Sequence, residues 1–307
     1  MSIVPSPDLY DHDDSDNVCF LCGHPRFTPY RGNKHFGFPL TFQRCACGLI
    51  KQTPMPNERF FDWFFNSEIF VSSRRSESRK IWGYYDYLVD EPFRLATSER
   101  RYQRLRRFLP SDRPIEILKI GASTGSFLHV ANQHGDRAIG CDVSSRFVEF
   151  AKRHYGVHID HGRFEDVGYR SASFDTIVML SVLENVPNPP RLLNEVHRVL
   201  RSGGHFVFNF IEMKHNIIEA LQREKYFLFR PPVTYIYNGT LIERVLSLNG
   251  FRTEHNLTDM RYMHLGKILT LLGWNPIHNF TKRMRLASRA FPIYAYPSRI
   301  IIAVKPE

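Results

Sequence analysis

The sequence of 307 residues has no apolar run near the roughly 18 residues that a membrane-spanning helix requires. Its first 17 residues are rich in aspartate and lack both the basic flank and the apolar stretch of a secretory signal. With 43% hydrophobic and 23% charged residues, the composition also differs from that of disordered chains. We therefore expect a soluble, cytoplasmic, folded protein in which residues 1–17 form a disordered leader.

Acidic residues are missing from the C-terminal part of a chain whose formal net charge is +10. No aspartate or glutamate lies between Asp259 and Glu307, where lysines and arginines recur: Arg261, Lys267, Lys282, Arg283, Arg285, Arg289, Arg299 and Lys305. Such a positive field favours anionic partners, namely nucleotide-linked substrates, anionic lipid or nucleic acid, although a basic face that only solubilises the protein is an equal alternative. Residues 265–289 are also compatible with amphipathic helices in peripheral contact with a membrane surface.

Cysteine is scarce, with five residues, and four of them form two close pairs. The pairs are Cys19 with Cys22 and Cys45 with Cys47, and a glycine follows each pair. A structural zinc ion needs four ligands from two tight turns, and glycine permits the backbone conformation of such turns. The pattern predicts a small zinc module over residues 18–56; a disulfide framework is the alternative, disfavoured without a secretion signal. Four thiolates leave no open position for a substrate, which argues against a catalytic zinc.

An aromatic cluster follows the cysteine module. Its members are Phe60, Phe61, Trp63, Phe64, Phe65 and Phe70. Aromatic residues at such spacing more often pack one domain against another than bind nucleic-acid bases. We expect residues 57–110 to form a helical, aromatic connector that packs on a larger domain.

From residue 114 onward, short apolar runs alternate with helical patterns, which predicts βαβ units and a parallel sheet. The pattern indicates a strand over residues 115–120, a turn of small residues over 121–125 and then a helix. A strand, a small-residue turn and a helix form a cradle in which a ligand approaches free backbone amides. The next strand ends at Asp142, about 20 residues beyond the turn, where a carboxylate suits ribose hydroxyls.

The same alternation continues to residue 210. It predicts helices over residues 144–154 and 191–200, and strands over residues 157–159, 176–180 and 205–210. The glycine turn, Asp142, Phe174-Asp175, the Leu-Glu-Asn-Val turn of residues 183–186 and the Leu-Arg-Ser-Gly-Gly hairpin of residues 200–204 follow one another in the order of a known family. On these motifs, residues 114–210 resemble a class I S-adenosylmethionine-dependent methyltransferase. Together with the cysteine module, the chain is similar to bacterial methyltransferases that carry an N-terminal zinc ribbon and often modify sugars, polysaccharides or other small metabolites.

This resemblance implies an α/β fold, with a Rossmann-like seven-stranded sheet over residues 111–307 that a last strand over residues 299–304 completes. The implied cofactor is S-adenosylmethionine. Its binding residues would be Gly121, Ala122, Ser123 and Gly125 at the methionine portion, Asp142 at the ribose, Phe164 and Glu165 at the adenine, and Ser181 and Leu183 beside the sulfonium.

The resemblance also implies an acceptor site covered by a lid over about residues 211–240, and a basic excursion over about residues 260–298. The lid would use the aromatic residues of this segment, with ordinary core packing as the alternative: Tyr226, Phe227, Phe229, Tyr235 and Tyr237.

Three positions depart from the family pattern. Lys119 stands where the family usually has an acid near the cofactor's ammonium. This reversal of charge predicts weaker binding of that ammonium group, unless Lys119 points away or pairs with Glu116 or Asp142. Asn185 and Thr234 stand where relatives often carry histidine, so two proton acceptors are missing. The remaining candidates for a chemical role are Glu184, Asn185 as an orienting group, Tyr235, Tyr237 and His215. A base is not obligatory, because positioning supplies much of the acceleration of methyl transfer.

The leading hypothesis is therefore methyl transfer to a small acceptor that is anionic or linked to a sugar, lipid or nucleotide. RNA methylation is an alternative, but the cysteine module lacks a dense array of basic and exposed stacking residues, so nucleic acid is not the expected partner. A repurposed or non-catalytic protein of the same fold is a third hypothesis, motivated by Lys119, Asn185 and Thr234. The oligomeric state stays open.

Overall fold

The computed structural model of the protein describes residues 5–11, 18–33, 40–71, 88, 90–110, 112–213, 227–229, 232–264 and 290–307. Two of the residues singled out above, His215 and Tyr226, lie outside these ranges, as do residues 265–289 of the basic excursion. Within these ranges, no helix is both long and apolar enough to cross a membrane.

The N-terminal part consists of short strands followed by two helices. The strands are β1 Tyr10–Asp11, β2 Phe27–Asn33, β3 Leu40–Cys45, β4 Ile50–Thr53 and β5 Met55–Pro56; the helices are α1 Glu58–Asn66 and α2 Glu68–Val71. Strands β2, β3 and β4 pair in an antiparallel meander. Cys19 and Cys22 lie just before β2, and Cys45 and Cys47 lie where β3 leads to β4. We call the meander with these two turns, within residues 18–53, the ribbon.

The segment before the ribbon corrects one expectation. Residues 5–11 form a 3-10 turn, Pro7–Leu9, and strand β1, which pairs antiparallel with β5. The expected disordered leader over residues 1–17 is therefore wrong for residues 5–11. The physical reason is apolar burial: Leu9 and Tyr10 are buried, and the ring of Tyr10 lies 5.3 Å from that of Phe60.

Helix α1 brings the aromatic cluster into contact with the large domain. The Asn57 side chain caps the helix by accepting a hydrogen bond from the backbone nitrogen of Phe60 at 3.2 Å. Phe60, Phe61 and Phe64 are buried on one face of the helix. Beyond α1, the ring of Phe70 meets that of Phe147 edge-on at 5.9 Å, so the aromatic residues pack between the ribbon side and the large domain.

The large domain begins with a helix and then alternates strands with helices. Its elements are α3 Glu91–Leu105, β6 Glu116–Ile120, α4 Ser126–Gln133, β7 Arg137–Asp142, α5 Ser145–Tyr155, β8 Ile159–His161, α6 Phe164–Val167, β9 Phe174–Met179, α7 Pro189–Val199, β10 Leu200–Ile211, β11 Tyr235–Ile236, α8 Gly239–Leu248, β12 Arg252–His264 and β13 Ala290–Val304. Seven strands form one sheet in the order β12-β13-β10-β9-β6-β7-β8. The five strands from β8 to β10 are parallel, and β13 is antiparallel to both of its neighbours. The predicted α/β fold with a seven-stranded, Rossmann-like sheet is confirmed.

Most predicted bounds agree with the structure to within two residues, but the C-terminal edge of the sheet differs. Strand β12 was not predicted. Within the expected excursion, residues 260–264 pair with residues 290–294 as extensions of β12 and β13. The reason is that β12 is an edge strand with polar side chains on both faces, so its sequence carries no apolar alternation.

Apolar side chains cover both faces of the sheet. Leu118 and Ile120 of β6 point into one cluster, and Ile117 points into the other, as the alternation of a strand requires. The first cluster also contains Cys19 and Cys45, so the ribbon packs directly on this face of the large domain. At the carboxyl end of β9, Thr234 joins the two parts, because its carbonyl accepts a hydrogen bond from Gln52 of β4 at 2.8 Å and its backbone nitrogen donates one to the carbonyl of Glu184 at 2.7 Å.

Candidate functional site

The four ribbon cysteines converge on one point. Their sulfur atoms all lie within 4.8 Å of one another, with 3.7 Å between Cys19 and Cys47 and 3.4 Å between Cys22 and Cys45. These separations are too long for disulfide bonds and are close to the ~3.8 Å between sulfurs that a tetrahedral ion with ~2.3 Å Zn–S bonds requires. The cluster therefore fits a tetrahedral metal ion.

The geometry of the two turns explains this convergence. Each turn closes through a glycine amide, from Gly23 to the carbonyl of Cys19 at 2.8 Å and from Gly48 to the carbonyl of Cys45 at 2.9 Å. Both glycines have a left-handed backbone, with φ of +70° and +97°, which a side chain would strain. Without a metal ion, burial raises the pKa of the Cys19 and Cys45 thiols. Burial also acts on Cys22, but the amide of His24 and the neighbouring thiols outweigh it and lower the pKa of Cys22 to about 7, so this thiol ionises most readily.

The glycine turn of residues 121–125 joins β6 to α4. Gly121, Ser123 and Gly125 all have a positive φ, at +63°, +55° and +81°. A Cβ atom at Gly121 would lie 2.6 Å from Val182, and one at Gly125 would lie 2.8 Å from Ala151, so both positions exclude side chains.

The carboxylate of Asp142 holds this turn from the neighbouring strand. Its Oδ2 accepts a hydrogen bond from the backbone nitrogen of Ser123 at 2.6 Å, and its Oδ1 accepts one from Ser144 at 2.8 Å. Burial raises the pKa of Asp142, an effect that these amides oppose. A carboxylate has further lone pairs for ligand hydroxyls. The structure therefore brings Gly121, Ala122, Ser123, Gly125 and Asp142 together at the carboxyl edge of the sheet.

The two residues predicted at the adenine lie at the start of α6, beyond β8. Glu165 is partly exposed, and burial raises its pKa. Phe164 is buried in the apolar cluster, where its ring lies 6.1 Å from that of Tyr169. Because β7 and β8 are neighbours in the sheet, Glu165 and Asp142 share one edge.

The turn after β9 holds Ser181, Leu183, Glu184 and Asn185. Ser181 is exposed and has a φ of +58°, a conformation that concentrates at functional sites. Leu183 is fully buried, and Asn185 donates a hydrogen bond to the carbonyl of Ser181 at 3.1 Å. Glu184 is 5% exposed, and its Oε2 has no hydrogen-bond partner among the described residues. Burial raises the pKa of Glu184 to about 7.

Thr234, Tyr235 and Tyr237 come from the segment predicted as a lid. Thr234 is buried and donates hydrogen bonds to the turn after β9. Tyr235 lies in β11, which pairs with β4 as the fourth strand of the ribbon sheet, and its ring meets that of Phe20 at 5.3 Å. Tyr237 is fully buried, and its hydroxyl has no partner among the described residues. Residues 234–237 therefore connect the ribbon sheet to the large domain.

Core packing explains one of the expected lid residues. Phe229 is fully buried and meets the ring of Phe42 in the ribbon at 5.1 Å. It therefore cannot close over a ligand in this conformation.

Lys119 forms neither of the two ion pairs considered above. Its side chain is 6% exposed, and its Nζ donates a hydrogen bond to the carbonyl of Gly121 at 2.7 Å. Glu116 pairs with Arg137 instead, and no ion pair joins Lys119 to Asp142. Burial lowers the pKa of Lys119 to about 8, although Asp142 opposes this shift.

A cavity of about 180 Å³ lies between the ribbon and the segment after β10. Its lining is Tyr30, Arg44, Gly48, Ile50, Met213, Ile236, Tyr237 and Asn238. The point that a Cβ atom of Gly48 would occupy is 3.9 Å from Asn238 Nδ2 and 4.0 Å from Arg44 Nη2, so two donor groups face one space. The guanidinium of Arg44 has no hydrogen-bond or ion-pair partner among the described residues, and its carbon lies 5.8 Å from the centroid of the Tyr30 ring.

Comparison with known proteins identifies the segment that carries most of this geometry. Residues 118–208 match the sequence model of a family described as methyltransferase domain. This segment is a methyltransferase domain. The methyltransferase expected from the sequence is confirmed at this domain.

Two known proteins are similar to part of this chain. The uncharacterized protein MJ1123 of Methanocaldococcus jannaschii is 30% identical over 141 residues, which cover 46% of this chain and 63% of that protein. The O-methyltransferase resE of Aspergillus sclerotiorum is 27% identical over 189 residues, which cover 58% of this chain and 70% of that protein. The chain thus spans only part of these curated relatives.

One solved structure supports the fold. A chain of the complex between the Haloferax volcanii Trm112 methyltransferase activator and a methyltransferase aligns with a TM-score of 0.52 at 16% identity. The alignment covers 72% of this chain and 95% of that chain. At this identity, the likeness concerns the fold of the methyltransferase domain.

A buried polar network in the large domain escaped sequence analysis. The fully buried Asp259 binds Arg101 through two hydrogen bonds, at 3.0 and 2.6 Å, and accepts one from Ser298 at 3.2 Å. Ser298 also bonds to Asn209, whose Oδ1 accepts from the backbone nitrogen of Ser181 at 2.5 Å. The edge strands are thereby connected to the turn after β9. No local motif marks this network, because each member lies on a different element.

Proposed function

We propose that this protein transfers a methyl group from S-adenosylmethionine to a small anionic acceptor that binds between the ribbon and the carboxyl edge of the sheet. The observation that carries the proposal is a hydrogen bond within the methyltransferase domain. The backbone nitrogen of Ser123, in the glycine turn, donates it to Oδ2 of Asp142 at 2.6 Å. A carboxylate beside a turn of small residues and a helix start suits a ligand that combines a ribose with a polar tail.

The cofactor would lie along this edge. Gly121, Ala122, Ser123 and Gly125 would hold the methionine portion, Asp142 the ribose, Phe164 and Glu165 the adenine, and Ser181 and Leu183 the region of the sulfonium. S-adenosylmethionine supplies an electrophilic methyl carbon, which an acceptor atom attacks in line while the carbon–sulfur electron pair leaves with S-adenosylhomocysteine. Positioning by the protein accounts for much of the acceleration in such a reaction.

Glu184 is the residue that we assign to proton transfer. A carboxylate with a pKa of about 7 is well matched to a general base at neutral pH, and its free Oε2 leaves room for a proton from the acceptor. Asn185 and Tyr235 would orient the acceptor beside it. Burial raises the pKa of the Tyr237 phenol, and Tyr235 and Glu184 add to this shift, so Tyr237 lies near the proposed base. His215 stays a candidate outside the described residues.

The acceptor class follows from the cavity beside the ribbon. Arg44 and the amide of Asn238 offer donors to one space, and a volume of about 180 Å³ suits a carboxylate, phosphate or sulfate group better than a complete drug-sized ligand. The reacting part of the acceptor would then extend toward Glu184. RNA fits less well as an acceptor. Phe42 of the ribbon and Phe60 and Phe64 of the aromatic cluster are buried, so these rings cannot stack on bases.

The proposal includes a structural zinc ion at the ribbon cysteines. Arg44 directly precedes Cys45, so an ion that fixes Cys45 also fixes the wall of the cavity. A cytoplasmic location belongs to the same proposal, since reducing conditions preserve free thiols. A membrane contact through residues 265–289 stays open as a property of residues outside the described ranges.

Calorimetric titration of the zinc-replete protein with S-adenosylmethionine and S-adenosylhomocysteine tests the cofactor. We expect the wild-type protein to bind both ligands with micromolar affinity. The affinity should fall at least about tenfold in Asp142→Asn and should not change in Asp62→Asn, an exposed control in α1. Absence of binding to the wild-type protein would rule out the proposed activity.

An acceptor screen tests the second half of the proposal. The protein would be incubated with methyl-labelled S-adenosylmethionine and with sugar phosphates, nucleotide-linked sugars, small carboxylates, their neutral counterparts and an RNA transcript. We expect label in anionic small molecules only. Label in RNA, or preference for the neutral counterparts, would contradict the acceptor class.

A further inference from the structure

Lys119 is a buried cation whose bonding capacity is mostly unused. An ammonium group carries three N–H donors, and Lys119 uses one of them, for the carbonyl of Gly121 at 2.7 Å. Among the described residues, no carboxylate forms an ion pair with it. The side chain is only 6% exposed, so water cannot fully replace the missing partners.

The surroundings of Lys119 make this arrangement costly. In the sheet, Lys119 stands opposite Val178 on one neighbouring strand and Gly140 on the other. Ile117, on the same face of β6, lies in an apolar cluster with Val178. A buried charge in such a place is unfavourable unless an opposite charge accompanies it. An apolar residue of similar length would fill the same position without this cost.

The charged groups around Lys119 do not resolve the imbalance. Asp142 favours the charged ammonium, but both of its oxygens already accept backbone hydrogen bonds from Ser123 and Ser144. Arg101 opposes the charged ammonium from helix α3. No anion therefore balances the charge of Lys119. Its ammonium group lies at the glycine turn, because it donates a hydrogen bond to the carbonyl of Gly121.

We infer that Lys119 is the counter-ion of the carboxylate at the amino-acid end of the cofactor and selects adenosyl ligands that carry this carboxylate. The inference rests on the proposed function, which puts the methionine portion at the glycine turn. A cation that already binds the carbonyl of Gly121 repels a second ammonium and attracts a carboxylate. The reversed charge at residue 119 then fixes which end of the amino-acid group faces β6.

Two ligands that differ in a single group test this inference. S-adenosylhomocysteine carries both the ammonium and the carboxylate, and its decarboxylated analogue, S-adenosyl-3-thiopropylamine, carries only the ammonium. We expect the wild-type protein to bind S-adenosylhomocysteine at least about tenfold more tightly than the analogue. In Lys119→Met this ratio should fall to about one, whereas the exposed Lys152→Met should keep the wild-type ratio. Because the ratio compares two ligands within one protein sample, partial unfolding of a variant does not change it.

The outcomes separate the inference from the proposed function. A third ligand, 5′-methylthioadenosine, lacks the amino-acid group and should bind the wild-type protein and Lys119→Met equally. If adenosyl ligands bind but the ratio is near one in the wild-type protein, or is unchanged in Lys119→Met, the inference is wrong and the proposed function stands. If no adenosyl ligand binds the wild-type protein, both fail. Should Lys119→Met not fold, Lys119→Gln takes its place, because glutamine also removes the charge but keeps a donor for the carbonyl of Gly121.

Discussion

The backbone carbonyl of Glu184 accepts two hydrogen bonds from Thr234, one from its backbone nitrogen at 2.7 Å and one from its Oγ1 at 3.0 Å. The same hydroxyl oxygen lies 2.8 Å from the carbonyl of Val186. Thr234 thus fastens the segment before β11 to the turn that carries the proposed base. A residue that sequence analysis regarded as the loss of a proton acceptor acts as a structural connection.

Thr234→Val should therefore destabilise the protein. Valine keeps the shape of the side chain but leaves two buried carbonyl groups with one donor fewer, at a cost of about 1–3 kcal/mol in the free energy of unfolding. Chemical denaturation measures this difference. Thr240→Val, at an exposed position of α8, is the matched control and should change stability by less than about 0.5 kcal/mol. Equal stability of wild type and Thr234→Val would contradict the structural role.

Glu184 should make the protein less stable as the pH rises. Its pKa is raised by burial to about 7 in the folded state, from an ordinary value of 4.5, so the folded protein holds this proton more tightly than the unfolded chain. Stability from this group is complete below about pH 4.5 and is lost as the pH rises to about 7. The loss is about 3–4 kcal/mol, since one pKa unit corresponds to about 1.4 kcal/mol.

The variant Glu184→Gln tests this pH dependence. Glutamine cannot ionise, so the variant should be more stable than the wild type at pH 8, with the difference shrinking toward pH 5. Urea unfolding at several pH values gives the comparison, and Glu307→Gln, at an exposed position, should follow the wild type. If the free energy of unfolding depends on pH in the same way in the wild type and in Glu184→Gln, the pKa of Glu184 is not raised in the folded protein.

Local sequence signals located the parts of the site that are built from contiguous residues. The glycine turn and the two cysteine pairs each lie within a few residues, and their backbone conformations depend on glycines that the sequence displays. Asp142 was found because the strand that it ends has a clear apolar pattern. Such features depend on neighbours along the chain, so the order of residues is enough to indicate them.

Contacts between distant segments were not accessible in this way. Strand β11 joins the ribbon sheet through the pairing of Tyr235 with Lys51, and nothing near either residue marks that pairing. The cavity beside Arg44 exists only because of it. Asp259 was hidden for another reason, since its edge strand is polar on both faces and gives no apolar alternation.

Metal removal should unfold the ribbon before the methyltransferase domain. We expect one zinc ion per chain in the purified protein, and a lower melting temperature with a strong chelator, because binding to four thiolates contributes directly to folding. Metal analysis should find no zinc in Cys22→Ser but one equivalent in Cys141→Ala, whose buried thiol lies on β7 and outside the cluster. A metal-free protein that melts at the same temperature would contradict a structural zinc.

Arg44 should bind an anionic group without contributing to the cofactor site. Its guanidinium faces the same space as the amide of Asn238, and no residue of the glycine turn is among those that line this cavity. Inorganic phosphate is a simple probe, because a ligand of the folded state raises the melting temperature according to its concentration and affinity. Phosphate also stabilises proteins through general exclusion, so the informative quantity is the difference between variants.

Arg44→Met should lose the specific part of the stabilisation by phosphate, whereas Arg26→Met, an exposed arginine in the same ribbon, should keep it. Both variants should bind S-adenosylhomocysteine as the wild type does, because neither residue touches the proposed cofactor edge. An equal response to phosphate in Arg44→Met and Arg26→Met would mean that the cavity does not select anions. A loss of S-adenosylhomocysteine affinity in Arg44→Met would instead indicate that the ribbon and the cofactor site are coupled, because the ribbon packs on the sheet face that carries Leu183 and Ile120.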